Sequence, residues 1–247
     1  VPVTAPASNR DAHVVWATTA PGRVEPRGGK VRLRPEATGR IVKVHTAAGN
    51  EVRQGDMLAR LRDDEAFARL TQARSEVAVR LGERDEDTEE PETNKLVLDR
   101  RKASDELDKA ERGLFEAWRK FDDVLLHQRA GRASDADVTA ARDAIKAAKE
   151  NVAAKAGAVT IISAKPDMPL PTRLDSGLTL ARADLRLAEI AYDNTRVRAP
   201  IDGTVLRFDG RVGEMASPEQ RTPIAEIGDM ASVQITAEVQ ERDVSKV

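Results

Sequence analysis

The sequence predicts an α+β, multi-domain, elongated protein. A long antiparallel α-helical coiled-coil hairpin is inserted into a small all-β domain, beside part of a second β unit. Three observations predict it. A short glycine-bounded pattern is written twice, far apart in the chain. Most of the residues between the two copies follow helical heptad spacing. Aromatic residues are only 3% of the 247, while charged residues are 33%. That composition suits long helices packed through narrow seams better than one thick core.

The first copy of the pattern is Gly39-Arg40-Ile41-Val42-Lys43-Val44, closed by Gly49. The second is Gly203-Thr204-Val205-Leu206-Arg207-Phe208, closed by Gly213. In both, the second glycine follows the first by ten positions. Each copy then reaches a strand-like tetrad, Leu58-Ala59-Arg60-Leu61 and Ile224-Ala225-Glu226-Ile227. A repeat at this distance predicts two half-domains, residues 36–62 and 197–229, that close on each other. Residues 13–35 and 230–247 are expected to form the second, partial β unit. Within it, His13–Ala17, Lys30–Arg34 and Ser232–Val239 are strand-like, and Gly22, Pro26, Gly28 and Gly29 mark turns. The set is short for a closed barrel. Residues 1–12 are polar and Pro-containing, and read as a tail.

Residues 63–196 carry the helices. Ala66, Leu70, Ala73 and Val77 keep 4-3-4 spacing behind Asp63 and Asp64 at the N-cap. The acidic stretch 84–92, with Pro91, interrupts them. Ala103, Leu107, Ala110, Leu114, Ala117, Phe121 and Val124 then form an unbroken heptad seam. A turn follows near residues 128–134, and Ser134 caps a returning helix marked by Val138, Ala141, Ile145, Ala148 and Val152. Gly157, Pro166, Pro169 and Pro171 are expected to break it. A last helix starts near Ser176, carries Leu178, Ala181, Leu185, Ala188 and Tyr192, and stops before Ala199-Pro200. The two interruptions lie at similar distances from Gly131. They predict a hairpin of two stacked tiers, its upper arm about 50 Å long and its tip far from the repeat. Leu96, Val97, Leu98, Trp118, Leu125 and Leu126 fall off the seam or near its ends and are candidates for a second interface. Phe115 reads as a flank of the seam itself.

Little in the chain suggests an enzyme. His13, His45 and His127 fall in three separate segments without ligand spacing. Gly28-Gly29-Lys30 lacks the hydroxyl residue of a phosphate loop, and no Gly-x-Ser-x-Gly elbow is present. The acidic run reads as a solvated helix end. A net charge of -2, with the two signs interleaved, gives no case for nucleic acid. There is no cysteine, hence no disulfide or thiolate metal site. No apolar run approaches the ~20 residues of a membrane span. The chain opens without Met and is read as a trimmed or mature form.

The first copy, continued by Gly49-Asn50-Glu51-Val52-Arg53-Gln54-Gly55-Asp56-Met57-Leu58-Ala59, resembles the first half of a biotinyl/lipoyl domain. Ala199-Pro200-Ile201-Asp202-Gly203-Thr204-Val205 through Met215 resembles the second half. Where a carrier of that family bears its cofactor lysine, this chain has Arg62-Asp63-Asp64-Glu65. The resemblance therefore implies no cofactor. A lipoyl-like domain split by a helical hairpin is the layout of the periplasmic adaptors, or membrane fusion proteins, of the HlyD type. Val233–Val244 resembles entry into that family's β-barrel. This resemblance covers about residues 20–245. It implies a non-enzymatic adaptor, membrane-associated in full-length form: anchored at the inner membrane of a Gram-negative envelope and located in the periplasm. It would bridge an inner-membrane transporter to an outer-membrane channel and assemble as a homo-oligomer, often a hexameric ring. The glycine-rich segment Pro21–Pro26 and the long hairpin lean towards an ABC-type transporter. The implied docking residues are those of the tip: Leu126, His127, Gln128, Arg129, Gly131, Arg132 and Ser134. Of the family's Arg, Leu and Ser tip positions, only Ser134 transfers cleanly. The Arg position falls on Asp123 and the Leu position on His127, one place after Leu126.

Overall fold

The computed structural model describes residues 22–86 and 94–237. They divide into two units, one comprising the termini up to Lys30 and from Gly228, the other Val31–Ile227. The terminal unit holds an antiparallel ribbon of β1 (Gly22–Pro26) and β10 (Val233–Ala237), in register from Gly22↔Ala237 to Pro26↔Val233. Gly22 and Pro26, expected in turns, instead begin and end a strand. Gly28-Gly29 does turn, with Gly29 at φ 78° and its N–H donating to the Pro26 carbonyl. The strand expected at His13–Ala17 lies outside the described residues.

The larger unit is built on a sandwich of two four-stranded sheets. Its strands are β2 (Lys30–Leu33), β3 (Gly39–Val44), β4 (Glu51–Val52), β5 (Met57–Leu61), β6 (Arg196–Arg198), β7 (Gly203–Phe208), β8 (Met215–Ala216) and β9 (Ala225–Gly228). The sheet orders are β2-β9-β7-β4 and β6-β5-β3-β8. Val31–Leu33 thus belongs to the sandwich, beside β9, rather than to the N-terminal unit. Each sheet mixes strands of both sequence copies, so neither half completes a sheet alone.

The written repeat becomes a repeated set of bonds. Gly39 pairs with Ala216, and at the equivalent place Val52 pairs with Gly203. The Gly49 N–H donates to the Val205 carbonyl at 2.8 Å, and the Gly213 N–H donates to the Ile41 carbonyl at 2.8 Å. Both closing glycines sit at positive φ, 92° and 95°, where a Cβ would be strained. The apolar core is shared in the same way. Ile41, Ala59 and Leu61 pack with Val197, Ala216 and Ile224. Val52 and Leu58 pack with Ala199, Val205 and Ile227.

Between β5 and β6 run four helices, α1 (Asp64–Asp85), α2 (Lys95–Arg129), α3 (Asp135–Ser163) and α4 (Arg173–Asp193). Asp63 stands at the N-cap of α1 but makes no capping bond. Its carboxylate instead accepts from Arg196 at 3.3 Å. Gly157 does not break α3, and α4 starts three residues before Ser176, capped by a Thr172–Asp175 box. Pro91 lies outside the described residues. Among the described residues no helix is long and apolar enough to cross a membrane.

The expected pairings form. α1 packs on α4 through Leu70, Val77, Leu178, Ala181 and Leu185. α2 packs on α3 through Phe121, Leu125, Val138 and Ile145. The stacking into two tiers does not form. Arg84 meets Asp105, Arg74 meets Glu116 and Arg198 meets Asp122. As numbers fall along α1, they rise along its neighbour α2. The α2/α3 pair therefore lies alongside the α1/α4 pair, and the helices run up, down, up and down. Phe115, expected as seam flank, packs on Tyr192 of α4 with ring centroids 6.0 Å apart. Trp118 lies over Gly55 of the sandwich.

Gly55 has φ 87°, and a Cβ there would stand 3.0–3.1 Å from the Trp118 ring. Gly55→Ala is expected to cost about 1–3 kcal/mol through backbone strain and overpacking together. A lowered urea midpoint, with a changed Trp118 fluorescence, would register it.

Candidate docking site at the helical turn

The turn joining α2 to α3 is specified locally. Gly131, at φ 69°, ends α2. Its N–H donates to the Gln128 carbonyl, and the Arg132 N–H donates to the His127 carbonyl at 2.8 Å. These two bonds satisfy the last carbonyls of the helix in a Schellman arrangement. Ser134 then opens α3 with a capping box. Its Oγ accepts from the Asp137 N–H at 3.2 Å, and the Asp137 carboxylate accepts from the Ser134 N–H at 2.8 Å. The Ser134 backbone N–H and its hydroxyl hold the Asp137 carboxyl below its ordinary range. Gln128 closes the turn by donating to Asp135 at 2.7 Å.

His127, Arg129, Gly131, Arg132 and Ser134 are exposed, while Leu126 and Gln128 are half-buried. The turn thus gathers the residues that the sequence assigns to a tip. Its location is different from the one expected. Arg129 Nη1 donates to the Met57 carbonyl at 2.9 Å. Arg142 Nη1 donates to the Gln54 carbonyl at 3.0 Å, and its Nη2 to the Asp56 carboxylate. The turn therefore stands beside the start of β5, next to the repeat rather than far from it. The physical reason is the charge complementarity of the two helix pairs.

α2 presents Asp105, Asp108, Glu111, Glu116 and Asp122 to the arginines of α1, α4 and β6. Arg84 binds Asp105 through two bonds of 3.0 Å, and Arg182 adds a third at 2.7 Å. Arg186 donates to Glu111 at 3.0 Å, and Arg101 of α2 donates to Asp175 at 2.7 Å. Near the sandwich, Arg198 grips Asp122 at 2.6 and 2.9 Å and reaches Asp193 at 2.8 Å. Asp105 and Asp175 are partly desolvated, which opposes their charge. Hydrogen bonds from Arg84 and Arg182 to Asp105, and from Arg101 and Thr172 to Asp175, outweigh this and hold both carboxyls below the ordinary range. Of the buried charged residues among those described, Arg84, Asp108, Asp122, Asp175, Arg182 and Glu189 belong to this seam, while Asp56 pairs with Arg142 of α3. The sequence carried a signal for it, acids on one face of α2 and the Arg182–Arg186 pair on α4. Interleaved charge reads equally well as a solvated surface. No group of three or more His, Asp or Glu among the described residues is placed to hold a metal.

Two further groups of this region are shifted far from their ordinary values. Burial, only partly offset by Arg74, pushes the Glu189 carboxyl up to about 7. Burial, reinforced by Arg129, Lys43 and Arg60, lowers His45 to about 4. Glu189 binds its proton more tightly in the folded state, so its contribution to stability falls as pH rises through 7. His45 acts oppositely, with stability lost as pH falls from 6.5 towards 4. Above pH 6.5 the remaining His45 change, a gain of about 0.4 kcal/mol, is smaller than and opposite to that of Glu189. Between pH 6.5 and 8 Glu189 is expected to remove about 1 kcal/mol. Glu189→Gln should remove that loss and leave only the small His45 gain in denaturation curves taken at the two pH values.

Residues 29–228 match the family described as RND MFP, barrel-sandwich hybrid domain. Multidrug resistance protein MdtN of Shigella flexneri is 25% identical over 225 residues, covering 86% of this chain and 60% of that protein. The chain thus spans about 60% of the length of the MdtN relatives it matches. Pyoverdine export membrane fusion protein PvdR of Pseudomonas putida is 39% identical over 61 residues, 24% of this chain and 15% of its own. The solved structure of the periplasmic adaptor protein EmrA aligns with a TM-score of 0.49 at 16% identity, covering 93% of this chain and 80% of that one. Matched over most of its length, the chain belongs to the RND-type membrane fusion protein family and carries its barrel-sandwich hybrid domain.

Proposed function

We propose that this protein is a periplasmic adaptor subunit of a tripartite efflux or secretion system. It bridges an inner-membrane transporter to an outer-membrane channel and is itself no enzyme. The observation that carries the proposal is the sandwich of two sequence halves with helices inserted between them, in a chain belonging to a membrane fusion protein family. The names of its relatives, a multidrug resistance protein and a pyoverdine export protein, support export as the task. The Ala130–Ser134 turn, with Leu126, His127, Gln128 and Arg129 before it, is the segment that docks the channel. Ser134 combines two roles there, as cap of α3 and as contact. The full-length protein is anchored at the inner membrane and works as a ring of identical subunits. The lean towards an ABC-type transporter competes with the RND label of the matched family. Copurification of the transporter with the full-length protein decides between them.

The chain lacks cysteine, so a single cysteine at Gln128 or Ser134 reports its own contacts. With either variant in the full-length protein, crosslinking in the host envelope is expected to trap an outer-membrane channel. Failure at both positions, with the protein folded and transporter-bound, rejects docking through this turn. Ser134→Ala is expected to cost about 1 kcal/mol of stability from the lost cap. Ser134→Asp keeps a capping oxygen and should restore that stability. If only the cap matters, it restores crosslinking from Gln128 as well. A contact role leaves crosslinking weak.

A further inference from the structure

The two helix pairs are joined in an unusual manner. Each pair already has its own apolar core, Leu70, Val77, Leu178 and Leu185 in one and Phe121, Leu125, Val138 and Ile145 in the other. Between them the contacts are mostly guanidinium on carboxylate. Such a seam gains little net free energy, because desolvation of the ions offsets most of their attraction. It is also incompletely satisfied. Arg74 Nε, Arg142 Nε, Arg182 Nε, Arg198 Nε and Glu189 Oε1 are buried without a hydrogen-bond partner. Glu189 Oε1 and Arg182 Nε have only long ion pairs, each at 3.7 Å, to Arg74 and Asp108, so the desolvation of these atoms is only partly offset.

Packing across the seam is loose as well. A cavity of about 330 Å³ opens between Leu114, Phe115, Trp118, Val152, Ile190 and Tyr192. Its aromatic faces carry the protein's own cations. Arg198 lies 4.8 Å from the Trp118 centroid, Arg196 3.8 Å from Tyr192 and Arg74 5.2 Å from Phe115. The cavity is a groove open to solvent, with Ile190 55% exposed, so the two pairs do not close on each other there. Between α3 and α4 the chain passes through an irregular segment, with Pro166, Pro169 and Pro171, that no helix crosses. The buried members of each apolar core stay together when the pairs part; the apolar contact that is lost is that of the half-buried Phe115 of α2 with Tyr192.

We propose that α2 and α3 form an arm that detaches from the α1/α4 pair as one unit, with the arginine–carboxylate seam as its catch. In the stowed position α2 carries the acids and the base carries most of the arginines. Loss of α2 carboxylates takes Asp105 and Asp108 from Arg182, Asp105 from Arg84, and Asp122 from Arg196 and Arg198, which leaves an excess of buried positive charge on the base and favours release. Elevated salt acts in the same direction by screening the more exposed pairs, Arg186–Glu111 and Arg74–Glu116. The proposal concerns how the arm is held and is independent of which partner, if any, its turn docks.

Nitroxides at Arg53→Cys, on the exposed turn before β5, and Thr139→Cys, on the exposed face of α3, test it in the purified protein without a partner. Both lie within a few residues of the Arg142–Asp56 pair, so the stowed arm gives a separation of roughly 20 Å. A released arm, about 50 Å long, gives a much larger one. Asp105→Asn with Asp122→Asn, in 0.5 M salt, is expected to raise the long-distance population at least fivefold. Glu106→Gln removes a carboxylate that pairs with Lys155 inside the arm and should change nothing. Removal of Arg129 from His45 on release should also raise the His45 pKa, read by NMR. A single short distance in the double variant, with helix content intact, overturns the proposal. So does a lengthening that appears only together with loss of helical circular dichroism, because that is unfolding rather than release.

Discussion

The exchange of strands between two distant halves of the chain is the constraint on which the larger unit depends. β4 of the first half pairs with β7 of the second, and β8 of the second pairs with β3 of the first. The bond from Gly49 to Val205 has its twin from Gly213 to Ile41. Because each half leaves its edges unpaired, neither satisfies its own backbone donors and acceptors until the other arrives. The intervening residues must therefore return their far end to its starting point.

β5 and β6 show how that return is arranged. They are antiparallel neighbours, with Met57 opposite Arg198 and Ala59 opposite Val197. α1 leaves from β5 and α4 arrives at β6, so the two helices are set side by side and antiparallel by the sheet itself. Leu70 and Val77 then find Leu178 and Leu185 with no further choice to make. The α2/α3 pair is not constrained in this way. Its own seam makes it a hairpin, and the sheet does not dictate which way that hairpin points.

Charge settles that direction. Aromatic residues are scarce, and Phe67, Phe115, Trp118, Phe121 and Tyr192 cluster where the helices meet the sandwich. Farther along, Arg84, Arg101 and Arg182 bind Asp105 and Asp175. Ionic contacts position one helix pair on the other, while apolar contacts hold each pair together. The division of labour makes the pairs rigid and the joint between them weaker.

The sequence by itself determined the elements and their local signals. The glycine pattern foretold two halves that meet, because a backbone needing positive φ at Gly49 and Gly213 tolerates little else. Heptad spacing foretold which helix pairs with which, because small and large residues on one stripe must be covered. The Gly131 and Ser134–Asp137 signals foretold the turn and its caps. Asp63 stands at the N-cap as its position foretold, but its bond to Arg196 in place of a capping bond, and the strand at Gly22–Pro26, each depend on a partner distant in sequence. Only the tertiary structure decided that α2 runs back along α1 and brings the turn to the sandwich. An acidic helix face has the same sequence pattern whether water or arginine covers it. Which of the two does so depends on where other parts of the chain have already placed their charges.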